Sequence, residues 1–216
     1  MTYAAYVNAR LLKYFEDEMS RRSRPEMIAE TRAKLIAAAR TAFAEHGYAE
    51  ASMDDLTAAA GLTRGALYHH FGGKQGLLEA VIEQIDAEMA ERLAAITAAA
   101  PSRWDGLVAE NIGYIELALE PDVQRIMLRD GPAVLGDPAN WPGALACIAS
   151  IRGNIELLQA DGVVRAGLDA EAAARMISGA STDAAMWIAN SSDPAATSRR
   201  AIPAFKAMLE GLLEAR

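Results

Sequence analysis

Residues 61–71, GLTRGALYHHF, put a hydroxyl, a guanidinium, a phenol and two imidazoles on one short piece of chain. Thr63 is a residue type that caps a helix by accepting a backbone N–H, and Gly72-Gly73 supplies a stop, so the spacing predicts a helix from Arg64 to Phe71. Gly65 leaves the opening turn of that helix without a side chain, so a partner can approach the backbone closely. Thr63 and Arg64 project from the same end, where unpaired N–H groups attract anions. Tyr68 and His69 add hydrogen-bonding rings one turn on, while Leu67 and Phe71, four residues apart, face inward and anchor the helix. Donors around a bare helix start suit phosphate oxygens and base edges. A metal site at His69 and His70 is not expected, because consecutive helical residues point about 100° apart and no third ligand is near. No cofactor is expected.

The elements around this fragment follow from periodicity and caps. Ile28, Leu35, Ile36, Ala39 and Phe43 form an apolar stripe that predicts a helix over Glu26–Glu45, stopped by His46-Gly47. Ser52 with Asp55 three residues on resembles a capping box, with Asp in place of the usual Glu, and opens a short helix to Ala60. Gly61 ends it, so two short helices meet at a tight glycine turn, the arrangement of a helix-turn-helix. A long helix is expected from Lys74 to Ala98, and another opens at Ser102 and Asp105 and runs through Leu119 to Pro121. Residues 122–130 read as a short helix and 131–143, GPAVLGDPANWPG, as a loop. Helices then follow from Pro142 to Ala160, from Ala170 to Asn190 behind an Asp169 cap, and from Asp193-Pro194 to the C-terminus with a bend at Pro203. Strand signals are nearly absent, so the fold class is all-α. Tyr3, Val7, Leu11, Tyr14, Phe15 and Met19 predict an extra amphipathic helix over residues 1–20, joined by the basic segment Arg21-Arg22-Ser23-Arg24-Pro25.

Charge is distributed unevenly. The 216 residues carry a formal net charge of -8, which taken whole opposes binding to phosphates. Residues 21–75, however, hold eight Lys or Arg against six Asp or Glu, together with all three histidines, whereas residues 76–216 hold eleven against twenty. A basic reader attached to an acidic body is the organisation expected. With 52% hydrophobic residues the chain can bury a core, no apolar run reaches the ~20 residues of a membrane span, and the charges in residues 1–20 interrupt any signal peptide. A cytoplasmic protein with no membrane partner is expected, and the single Cys147 excludes an internal disulfide. Catalysis is not expected: GxSxG, HExxH and a glycine-rich loop after a strand are absent, and no histidine lies in residues 76–216 to activate Cys147.

Ala39, Phe43 and Gly47, then Ser52, Asp55, Leu56, Ala60 and Gly61, then GLTRGALYHHF, and finally Phe71, Lys74 and Leu77 form one continuous pattern. On these residues the segment 26–78 resembles the DNA-binding domain of TetR/AcrR-type transcriptional regulators. The resemblance implies an N-terminal three-helix helix-turn-helix domain, here 26–75 after an extension 1–25. A helical ligand-binding and dimerisation domain would follow, here 76–216. It implies that Thr63, Arg64, Gly65, Tyr68 and His69 meet DNA and that Lys74 binds phosphate. Met53 stands where the family commonly has a small hydroxyl residue, which leaves Ser52 for a phosphate contact at that end. It further implies a homodimer on a palindromic double-stranded operator, most simply a repressor released by a small-molecule effector.

In the acidic body the resemblance is architectural only. Ala173, Ile177, Ala180, Ala184 and Ile188, with Gly179 and Ser181 alongside, and Ile202, Phe205, Met208, Leu209, Leu212 and Leu213 give the last two helices faces that would suit a four-helix interface between chains. Large, adaptable or polar residues on the middle helices are the ligand-binding candidates: Trp104, Asn111, Tyr114, Met127, Asp130, Trp141, Cys147, Met176, Met186 and Trp187. They predict a largely apolar effector, with Asp130 and Arg129 able to select a polar group. The other reading is a DNA-binding interaction or architectural protein with no effector.

Overall fold

In α1 (Arg24–His46) the apolar stripe buries Leu35, Ala39 and Phe43 completely, which fixes one face of the helix against the rest of the chain. The computed structural model describes residues 24–214; the amphipathic helix expected over residues 1–20 lies outside them. Arg24 and Pro25, read from the sequence as linker, form the first turn of α1, where proline's missing N–H costs nothing. Gly47, at φ +83°, turns the chain out of α1.

The next two helices are set by their own caps. Ser52 accepts the Asp55 N–H at 3.1 Å and donates to the Asp55 carboxylate at 2.6 Å, opening α2 (Met53–Ala59). Gly61, at φ +66°, reverses the chain while Leu62 N–H returns to the Thr57 carbonyl at 2.8 Å. Thr63 then accepts the Ala66 N–H at 3.2 Å and opens α3 (Arg64–Phe71). The long α4 (Lys74–Ala99) leaves α3 so closely that a Cβ on Gly76 would stand 2.0 Å from the Phe71 carbonyl oxygen. Leu67 is fully buried, and Phe71 is half-buried under the Arg32 guanidinium, 4.5 Å from its ring centre.

The body is a layered bundle around α9. α5 (Arg103–Leu117) folds back along α4 from a Ser102 cap, α6 (Val123–Asp130) and α7 (Gly131–Leu135) cross beneath, and α8 (Pro142–Ala160), α9 (Ala170–Asn190) and α10 (Pro194–Glu210) complete the packing. Three boundaries differ from the sequence-based expectation. α5 stops at Leu117, because the chain tightens into turns that return the Leu119 and Glu120 N–H groups three residues back. Residues 123–130 are wound as a π-helix, and 131–143 is not one loop: Pro132 sits in the first turn of α7, and Val134 and Leu135 pack on the core. The last helix ends at Glu210, because the following residues pair with 163–165 through the Glu214-to-Val163 and Arg165-to-Leu212 hydrogen bonds.

Burial also overturns one sequence-based assignment. Ala173, Ile177, Ser181, Ala184 and Ile188 on α9, and Phe205 and Leu209 on α10, are buried in the chain's own core rather than presented to a second chain. Of the residues in that assignment Gly179 and Met208 do face outward, on a stripe with Met176, Asp183 and Trp187 of α9 and Arg200, Ala204 and Ala207 of α10.

Candidate nucleic-acid interface

α3 presents its first turn to solvent. Thr63, Arg64, Gly65, Tyr68 and His69 are all exposed, with Tyr68 at 55%, and a Cβ on Gly65 would meet nothing closer than the Thr63 hydroxyl at 3.7 Å. Ser52 is exposed at the start of α2, although its hydroxyl already serves Asp55. These residues come together on one surface because Leu67 pins α3 inward and the two caps fix where α2 and α3 begin. Arg64 is held by both oxygens of Asp54, an ion pair across the turn that raises the guanidinium pKa further. His70 faces the fold: its carbonyl accepts Arg32 Nη1 at 2.8 Å, and burial, then His69 and Arg32, hold its imidazole below the usual range.

Lys74 has partners within the chain. Its Nζ donates to the Ala49 carbonyl at 3.2 Å and lies 4.4 Å from the centre of the Tyr48 ring, and burial lowers its pKa. It therefore ties the start of α4 to the segment between α1 and α2 while standing beside α3.

The π-wound α6 clamps that same segment to the body. Asp130 Oδ2 accepts the Tyr48 N–H at 2.7 Å, and Arg125 Nη2 donates to the His46 carbonyl at 3.2 Å. A Cβ on Gly47 would stand 2.1 Å from that guanidinium. Arg40 completes the junction, reaching Asp122 and Glu88 at 2.7 Å each. Asp130, considered from the sequence as a selector of polar ligand groups, is thus engaged at the junction, and Arg129 donates to the Ala189 carbonyl.

The remaining ligand-binding candidates are not gathered in one place. Tyr114 and Cys147 face each other's surroundings between α5 and α8, with Asp86 of α4 and Thr182 of α9. Burial pushes the Tyr114 phenol up despite its hydrogen bond with Thr182. Burial, Glu110 and Asp86 push the Cys147 thiol up to about 11. Tyr114 is half-buried and Cys147 is exposed. The Asp86 carboxyl, also raised by burial, lies so close to Gly143 that a Cβ there would stand 1.8 Å from Oδ2. Trp141 packs on Gly131, and its Nε1 is buried with no hydrogen-bond partner in the chain. Trp104 lines a separate open cavity of about 350 Å³ with Ile96, Val108, Ile112 and Lys206. Asn111 donates to the Leu107 carbonyl inside the core, Met127 is buried, and Met186 packs against the core edge. Met176 and Trp187 stand on the outer face of α9, where Arg200 lies 5.3 Å from the Trp187 ring centre.

Asp54, Asp86, Thr182, Arg40 and Arg125 were not singled out from the sequence. Asp86 carries the one signal available there, an acid on the buried stripe of α4, four residues after Ile82 and three before Met89.

Among the described residues no helix is long and apolar enough to cross a membrane, and no group of three or more His, Cys, Asp or Glu is placed to hold a metal.

Comparison with known proteins bears on both halves. Residues 35–81 match the family model for bacterial regulatory proteins of the tetR family, and residues 104–212 match that for the tetracyclin repressor-like C-terminal domain. A crystal structure of a TetR-family transcriptional regulator from Pectobacterium atrosepticum is 50% identical, covers 90% of this chain and 100% of its own, and superposes with a TM-score of 0.80. The transcriptional repressor AcnR of Corynebacterium efficiens is 42% identical over 114 residues, 51% of this chain and 56% of AcnR. The transcriptional regulator TtgR of Pseudomonas putida is 42% identical over 67 residues, 31% of each chain. The matched segments thus span between about a third and just over half of these curated relatives. The family and the relatives matched are regulators of transcription, not enzymes. With both domain models and a structural match over 90% of the chain in agreement, the chain belongs to the tetR family of bacterial regulatory proteins.

Proposed function

We propose that this protein is a cytoplasmic, homodimeric repressor that reads a palindromic operator in double-stranded DNA and releases it on binding a small molecule. The observation that carries the reading is the exposed start of α3, where Thr63, Arg64, bare Gly65, Tyr68 and His69 share one surface. Residues 26–75 form the reading head and residues 76–216 the sensing and pairing body. In a twofold dimer the two α3 helices enter successive major grooves, with half-sites about 34 Å apart.

The effector is largely apolar with a hydrogen-bonding group, and it enters between α4, α5, α8 and α9, where polar groups meet. Tyr114, Cys147, Thr182 and the Asp86 carboxylate supply the polar wall. Asp86 belongs to α4, whose first residue, Lys74, is tied to the reading head, so displacement at Asp86 reaches the head along one helix. Coupling of this kind is commonly about 1–3 kcal/mol, or roughly 5- to 150-fold in operator affinity.

The test starts with a randomised duplex library, from which the purified protein is expected to select one palindromic sequence. Anisotropy titrations of that duplex and a scrambled one, at several salt concentrations, then separate the two basic residues. Arg64→Ala should relax preference at one base position, whereas Lys74→Ala should weaken all sequences alike, lower the salt slope by about one per subunit, and also lower the melting temperature. Selection of no sequence would sink the reading. A thermal-shift screen of hydrophobic metabolites tests the effector: a compound that binds only the folded state raises the melting point. A screen without a shift would leave a DNA-binding protein and remove the sensor.

A further inference from the structure

We propose that Asp54 determines sequence specificity by holding Arg64 in the one orientation that reads a guanine. The inference rests on α3 being the reading helix. The pair spans the turn: Asp54 is in the first turn of α2, Arg64 opens α3, and Arg64 Nε and Nη2 donate to Oδ1 and Oδ2 of Asp54, respectively.

The fold gains little from this contact. Both side chains are more than half exposed, at 59% and 69%, and exposed ion pairs stabilise weakly. Nor is Asp54 the cap of α2, since Asp55 fills that role with Ser52. Binding to DNA in general is opposed by it, because an acid on the surface that approaches phosphates repels them and cancels the neighbouring guanidinium charge. Any acid in the first turn of α2 would supply the weak helix-dipole stabilisation that Asp54 gives, so what this ion pair in particular adds is specificity.

Donor counting says what is specified. A guanidinium has five N–H groups. Asp54 occupies the Nε–H and one Nη2–H, which leaves the Nη1–Nη2 edge with two near-parallel donors. That edge matches the O6 and N7 acceptors of guanine in the major groove. Because Asp54 favours one plane of the fork, Arg64 loses less rotamer freedom on binding and swings less readily to a phosphate. Lysine at position 64 would satisfy Asp54 but offer no second parallel donor.

The experiment uses the full chain and the duplex selected from the random library, with every single-base substitution of one half-site. Arg64→Ala identifies the base pair read at that position. Asp54→Ala should lower the guanine preference at the same pair by roughly 5- to 50-fold, with Asp54→Asn, which keeps one acceptor, falling between it and wild type. Affinity for scrambled duplex should stay level or rise in both, and Asp54→Ala/Arg64→Ala should be no less selective there than Arg64→Ala alone. Unchanged melting temperatures show that the exposed substitutions leave the fold intact. Preference retained in Asp54→Ala overturns the proposal, as does loss at a different base pair, which would make Asp54 a reader in its own right. If wild type selects a sequence and Asp54 proves neutral, only this inference falls; if wild type selects none, the reading of α3 falls with it.

Discussion

At the residue scale, Asp86 is an acid whose ionised form the fold disfavours. Burial raises its carboxyl pKa, so protonation favours the folded state; the stability it contributes is present below the ordinary carboxylate range and is lost as pH rises through the folded value. Asp86→Asn should therefore melt higher than wild type at pH 7.5, and the difference should shrink as pH falls towards 4, in differential scanning fluorimetry across pH. Keeping such a charge against Gly143 is a cost without structural return, which fits a role towards a ligand. Cys147 gives a second test of the same region. With its thiol pushed up to about 11, the thiolate is scarce at neutral pH, so alkylation by iodoacetamide should be slow at pH 7.5 and accelerate steeply towards that value. Fast labelling at neutral pH would show a thiol in ordinary water.

At the scale of elements, the joints between helices carry the strain of positioning. Gly76 allows α4 to start against the Phe71 carbonyl, and a Cβ there would lie 2.0 Å from that oxygen. Gly76→Ala should destabilise by more than about 2 kcal/mol and reduce operator binding, because backbone rather than a yielding side chain opposes it. Thr63→Ala removes only the cap of α3 and should cost about 1 kcal/mol in urea unfolding. At the junction with the body, Asp130→Ala would leave the Tyr48 N–H without its acceptor and Arg125 without its ion-pair partner. Effector and operator should then become less coupled, read as a smaller change in operator affinity at saturating effector, while thermal shift still reports effector binding.

At the scale of the whole molecule, the proposed dimer would use the outer stripe of α9 and α10 as its surface for a second copy. Trp187, at 46% exposure under Arg200, Met176 at 69% and Met208 at 46% flank small residues on both helices. An isologous pairing would bury all of them at once. Trp187→Glu or Met208→Glu should yield monomers by light scattering and lose operator affinity while keeping helical content. By contrast Ile188→Glu and Leu209→Glu, both at 0% exposure, should unfold the chain and say nothing about pairing.

Local chemistry is what one-dimensional information reports well. Ser52 and Thr63 cap through contacts three residues away, Gly61 and Gly72 turn with positive φ, and the stripe of α1 repeats within single turns. The all-α class and the surface of α3 followed from such short-range rules, and the family pattern lies in those same residues. Tertiary structure alone decided which face of α9 turns inward, because Met176 and Trp187 make the outer face apolar too, beside the alanine- and isoleucine-lined inner one, and periodicity offers both. It also decided every contact that joins head to body: Asp130 meets Tyr48 and Arg40 meets Asp122, each across 82 residues, and no spacing rule reaches so far. Arg64 was legible as a candidate reader, but its partner was not, since only the angle between α2 and α3 brings the Asp54 carboxylate to its fork.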